Sequence, residues 1–105
     1  MSWNKTDNSM ENEKALMREK YLPENASVLD LFCGSGEMYK RAYRGNVCDY
    51  HGTDISKVHN LEICEITNNE KYVRRNDLDK YNTFDLDAYG SPWKLFYLIL
   101  KMKKP

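Results

Sequence analysis

Cysteine is scarce in this chain and badly spaced for a framework. Cys33, Cys48 and Cys64 are an odd number, and no Cys-x-x-Cys occurs. A disulfide scaffold or a zinc ribbon is therefore not expected. His51 and His59 have no metal-type ligands beside them at useful spacing, so no metal site is expected. Long apolar runs are missing too. The longest, LFYLILKM at residues 95–102, is far short of the roughly 20 residues that span a bilayer. The first residues, MSWNKTDNSMENEK, are polar and carry no apolar signal-peptide segment. Free cysteines without a membrane span or a signal peptide point to a cytoplasmic protein with no membrane partner. Net charge is also lacking, with 16 Lys+Arg against 16 Asp+Glu. A general polybasic coat for nucleic acid is thus excluded, though a local basic face is not.

What is present is enough for one small domain. The 105 residues are 41% hydrophobic and 12% aromatic, too apolar for a disordered tail. Residues 1–10 read as a polar leader. Residues 11–22, ENEKALMREKYL, read as a helix ended by Pro23, with Met10, Met17 and Tyr21 on one face. SVLDLF reads as a buried strand, CGSG as a glycine turn, and EMYKRAYR as a helix closed near Gly45. DYHGTDI reads as a second strand and SKVHNLEICEIT as a second helix. KYVRRND is a weaker third strand and TFDLDA a fourth. A last helix, WKLFYLILKMKK, follows Ser91-Pro92. Trp93, Leu95, Phe96 and Leu100 are expected in its core-facing surface.

Strands alternating with helices predict an α/β fold with a parallel sheet. One tension stands in this reading. Only Leu78–Asn82 separate the third strand from the fourth, while parallel neighbours need a long connection. Either that crossover has shrunk to a turn or the strand boundaries are misplaced.

The chemistry concentrates in VLDLFCGSGEMYK, a strand, an acid, a glycine turn and a helix. Ligands of open parallel sheets bind beyond the carboxyl ends of the strands. Gly34 and Gly36 let backbone approach a ligand closely. Asp30 repels a pyrophosphate and suits a cationic group. Tyr39 stands where a dinucleotide fingerprint has its third small residue, and no Gly-Lys-Ser/Thr follows. The turn therefore suits a nucleoside without polyphosphate but with positive charge, the character of S-adenosylmethionine. Asp54, 18 residues after Gly36, ends the second strand where it can accept both ribose hydroxyls. Asp77 ends the predicted third strand, within reach of an adenine amino group, and Asp85 and Asp87 end the fourth.

VLDLFCGSG and GTDIS resemble the first two motifs of class I S-adenosylmethionine-dependent methyltransferases. FDLDAYGSPW is similar to the fourth-strand motif of their nucleic-acid branch, closest to the DPYGSP form of tRNA guanine-N2 dimethyltransferases. The resemblance spans about residues 24–105 and implies a Rossmann-like sheet of order 3-2-1-4, cut before a fifth strand and preceded by a leader and helix at 1–23. It implies that Asp30, Gly34 and Gly36 line the methionine part of the cofactor, that Asp54 holds the ribose and Asp77 the adenine, with Phe32, Ile55 and Leu78 beside them. Asp87 would accept a hydrogen bond from the target amino group and Tyr89 would stack on the target base. The implied activity is methylation of a base amino group in RNA, favoured over DNA. The competing reading is a truncated or non-catalytic fragment that binds the cofactor without activity. Ala88 departs from the family's proline. An open fourth-strand edge would favour self-association.

Overall fold

A computed structural model describes residues 3–55, 62–87 and 91–103, with side chains described from Asn12 onward. Four strands, β1 (Ser27–Asp30), β2 (Asp49–Asp54), β3 (Cys64–Ile66) and β4 (Thr83–Asp85), form one sheet of order β3-β2-β1-β4. Every pairing is parallel. The α/β class and the strand order agree with the sequence expectation. The identity of β3 does not.

The segment read as the second helix ends in β3, and the segment read as the third strand is helix α2 (Asn69–Arg75). The local chemistry favours a helix there. Asn68 takes the N-cap position, and its side chain accepts a hydrogen bond from the Lys71 amide at 3.0 Å. Glu70 lies in the first turn, with Arg74 and Arg75 in the last, as the helix dipole favours. This exchange also removes the tension in the connections. Helix α2 is the crossover between β3 and β4, so no crossover has to be squeezed into Leu78–Asn82.

Two helical layers cover the sheet. On one face, α2 and α3 (Trp93–Met102) enclose Leu29 and Leu31 with Tyr72, Val73, Leu78, Tyr81, Leu95, Leu98 and Ile99. On the other face, α1 (Trp3–Tyr21) and a π-helical turn at Tyr39–Tyr43 cover Val28 with Ala15, Met38, Ala42 and Tyr43. Alternation along β1 divides Val28 from Leu29 between the two faces.

Helix α1 begins at Trp3, so the backbone of residues 3–10 is helical rather than a loose leader. Its expected apolar face is not the buried one. Met17 and Tyr21 are exposed, while Ala15 is buried and Leu22 half-buried. Helix α3 is likewise split, with Leu95 in the core but Trp93, Phe96 and Leu100 exposed.

Candidate functional site

The strand register builds the site. Asp30 of β1 pairs with Gly52 of β2 and with Asp85 of β4, and Gly52 pairs with Cys64 of β3. One rung across the sheet thus reads Cys64, Gly52, Asp30, Asp85. In-register neighbours on parallel strands point the same way, and here that is toward α1 and the π-helical turn. The two carboxyl groups are consequently side by side and buried, Asp30 at 2% exposure and Asp85 at 7%.

Buried carboxyls require partners; β2 and the turn supply those of Asp30, and the helical layer those of Asp85. The Tyr50 hydroxyl donates to Asp30 Oδ2 at 2.7 Å, and the Phe32 amide donates to Asp30 Oδ1 at 3.2 Å. The Tyr43 hydroxyl donates to Asp85 Oδ2 at 2.6 Å. Arg18 of α1 grips Asp85 with two nitrogens, Nε at 2.7 Å from Oδ2 and Nη2 at 3.1 Å from Oδ1. Burial, reinforced by the neighbouring charge of Asp85, raises the Asp30 carboxyl to about 7, against the opposing hydrogen bonds from Tyr50 and Phe32. Burial and the adjacent carboxylates also raise both phenols, so Tyr43 and Tyr50 remain donors. For Arg18, burial works against the charge, but the hydrogen bond and attraction to Asp85 outweigh it and raise its pKa.

The glycine turn lies just beyond this rung. Gly34 (φ 52°) and Gly36 (φ 84°) both occupy the left-handed region, where a side chain strains the backbone. The Gly34 amide donates to Asp54 Oδ2 at 2.9 Å, which ties the turn to the tip of β2. A methyl group placed on Gly36 would meet nothing within 4 Å, and one on Gly34 only Asp54 Oδ2 at 4.0 Å. The glycines therefore leave an open cradle beside a carboxylate. Ile55 follows, 71% exposed. Phe32 is half-buried and packs its ring toward the α2–α3 core.

The expected site residues divide accordingly. Gly34, Gly36, Asp54 and Ile55 come together at the carboxyl edge of the sheet. Asp30 is beneath them, but its two oxygens are already engaged and it has almost no exposed surface. It therefore braces the turn rather than facing a ligand. The strand-end placement of Asp77 and Leu78 is corrected. They follow helix α2 rather than a strand, and a helix running back along the sheet ends at the opposite edge. The Lys103 ammonium, at the end of α3, bonds there to the Leu78 carbonyl at 3.2 Å. Asp77 is exposed and bonds the Asp79 amide in a local turn, while Leu78 is core. Asp87 does lie just past β4, where Lys14 at 3.2 Å and Arg18 at 3.4 Å pair with it. Tyr89 lies outside the described residues.

The sequence did not single out Arg18, Tyr43 or Tyr50, nor say which of Asp85 and Asp87 is the buried acid. Each depends on register between distant segments. The alternation of Asp85 and Asp87 on one strand was the only local sign of it. Among the described residues, no cluster of three metal-type ligands occurs. A cleft of about 410 Å³ between α1 and β4 is lined by Met17, Arg18, Tyr21, Phe84, Asp85 and Asp87, among others.

The fold and site define an α/β chain with a four-stranded all-parallel sheet of Rossmann-like order and a glycine cradle at its carboxyl edge. No family model matches the chain, and neither a curated protein nor a solved structure is significantly similar to it.

Proposed function

We propose that this chain is the cofactor-binding part of a class I S-adenosylmethionine-dependent methyltransferase that acts on a base amino group of RNA. The observation that carries this reading is the Gly34–Asp54 contact at the tip of adjacent parallel strands. It places an accepting carboxylate beside a turn open to close backbone approach. That arrangement fits the ribose hydroxyls and adjoining atoms of an adenosyl group. Nothing in it favours a pyrophosphate.

Bound there, the cofactor would supply an already activated methyl group. The protein's own task is to hold and orient. Asp54 would accept from the ribose hydroxyls while keeping Gly34 in place. Asp30, through the Phe32 amide and Tyr50, would fix the turn from below. Asp87 is the group proposed to accept a hydrogen bond from the target amine, helped by alignment more than by basicity. Lys14 and Arg18 now hold its carboxylate. A target amine would have to replace or share those contacts.

That pairing favours the second reading, a module that binds the cofactor without transferring its methyl group. A radiolabelled-methyl assay separates the two. With calorimetric binding established, transfer of label to bulk RNA supports the enzyme, transfer to DNA alone corrects the substrate, and binding without transfer supports the module. Absence of binding contradicts both. We further propose self-association along β4, which among the described residues has a neighbour, β1, on one side only. A cytoplasmic setting fits the three free thiols.

A further inference from the structure

The third packed cluster joins two cysteines that are distant in sequence. Cys33, in the glycine turn, and Cys64, the first residue of β3, are both buried and lie against Tyr50 and Ile63. Between them is Gly52. A methyl group built on Gly52 would sit 2.6 Å from Cys33 Cβ, 2.6 Å from Cys64 Sγ and 3.1 Å from Cys33 Sγ. Both sulfurs therefore lie within 3.1 Å of one point, in the space that the glycine leaves vacant. The Cys33 amide bonds the Thr53 carbonyl at 3.0 Å, and Gly52 pairs with Cys64, so backbone on both sides fixes the approach. Cys48 is apart from this pair, exposed and bonded to Asn25 Oδ1 at 3.5 Å.

We propose that Cys33 and Cys64 form a redox-active thiol pair that a small hydroperoxide converts to an intramolecular disulfide. Their burial restricts the oxidant to a small one. The geometry supplies the second thiol at the point where the first is oxidised, the condition that favours a disulfide over further oxidation. The closeness of the two thiols also divides the labour. It holds the Cys64 thiol below its ordinary value, against the effect of burial, and with burial it holds Cys33 above.

The step balances. The Cys64 thiolate attacks the peroxide oxygen and expels alkoxide, giving Cys64 sulfenic acid. Cys33 then attacks the Cys64 sulfur, the S–O bond breaks, and hydroxide leaves as water with the Cys33 proton. Two thiols lose two electrons and two protons, and the hydroperoxide is reduced to an alcohol and water. The new bond ties the glycine turn to β3. Two thiols alone make a poor metal site, and the described residues hold no third ligand to complete one.

The test is mass mapping of the full chain, reduced, treated with hydrogen peroxide, then denatured and alkylated. The expected product is lighter by two hydrogens, takes alkylation only at Cys48, and yields a peptide linking Cys33 to Cys64. Three alkylated cysteines, or a link through Cys48, would overturn the proposal. In Cys33→Ser, a sulfenic acid should be trapped on Cys64, and trapping on Cys48 alone would overturn the assigned roles. If that variant does not fold, the mapping of the unaltered chain still decides the central point.

Discussion

Gly52 carries more of the local packing than its size suggests. It gives up its Cβ so that Cys33 and Cys64 can fill the same space, and Cys33 Cβ cannot swing aside as a flexible chain end would. Gly52→Ala is expected to cost about 1–3 kcal/mol through overpacking, read as a lower urea midpoint. An unchanged midpoint would mean that the sulfurs are not so placed. Asp30, one position along the same rung, makes stability depend on pH. An unfolded aspartate ionises at about 3.9, whereas burial and Asp85 hold folded Asp30 to about 7. Between those values the unfolded chain has lost a proton that the folded chain keeps. The stabilising contribution is therefore complete below about pH 4 and declines as pH rises toward 7. Its slope is at most about 1.4 kcal/mol per pH unit. Asp30→Asn is neutral throughout and should flatten that part of a urea-stability profile. A slope that persists in the variant would assign it to another group.

Helix α1 is tied to β4 by the Arg18–Asp85 ion pair. Its Arg18 side chain is 19% exposed and that of Asp85 only 6%, so the pair is largely removed from water. Arg18→Ala leaves Asp85 with the Tyr43 hydroxyl and the Asp87 amide at 3.2 Å, but without its cation. The expected loss is about 3 kcal/mol in chemical denaturation. Asp85→Asn made in the Arg18→Ala background should recover part of it, because the stranded charge is then gone. Equal losses in the single and double variants would argue against a charged pair.

Most elements were legible in the sequence. β1, β2, β4 and α3 lie within the segments that alternation, apolar runs and Ser91-Pro92 predict. The exchange at residues 62–77 has a physical cause. Three residues, Cys64–Ile66, are too few to display a period of two, so β3 disappeared into a longer helical pattern. In α2 the buried Tyr72-Val73 pair suggested a strand, although the Asn68 cap and the charges at both ends signalled a helix. Asp77 was misplaced with it. The acids at the tips of β1, β2 and β4 were readable because each is the last residue of its strand. The rung that joins Asp30 to Asp85 was not, because register is set by packing between segments far apart in sequence.

The balanced net charge is unevenly distributed along the sequence. Residues 76–90 hold four acids and one lysine, and residues 91–105 hold four lysines and no acid. Within the latter stretch, α3 buries Leu95, Leu98 and Ile99 yet exposes Trp93, Phe96, Tyr97 and Leu100. A helix apolar on both sides lies normally between two partners. The exposed aromatic face and the β4 edge together support the proposed self-association. Sedimentation velocity should show species heavier than 12.4 kDa as concentration rises, and Trp93→Glu should return the chain to monomer. A monomer at all concentrations would dismiss that association.

The glycine cradle and Asp54 are proposed to hold an adenosyl group. Calorimetric titration of the chain with S-adenosylmethionine, repeated on Asp54→Asn, tests it most directly. Asparagine can still accept from the Gly34 amide, which preserves the turn, but it loses the carboxylate oxygen that would receive ribose hydroxyls. One saturable site is expected in the parent chain and affinity weakened about tenfold or more in the variant, with circular dichroism unchanged. No binding by the folded parent chain, or equal binding by both, would contradict it.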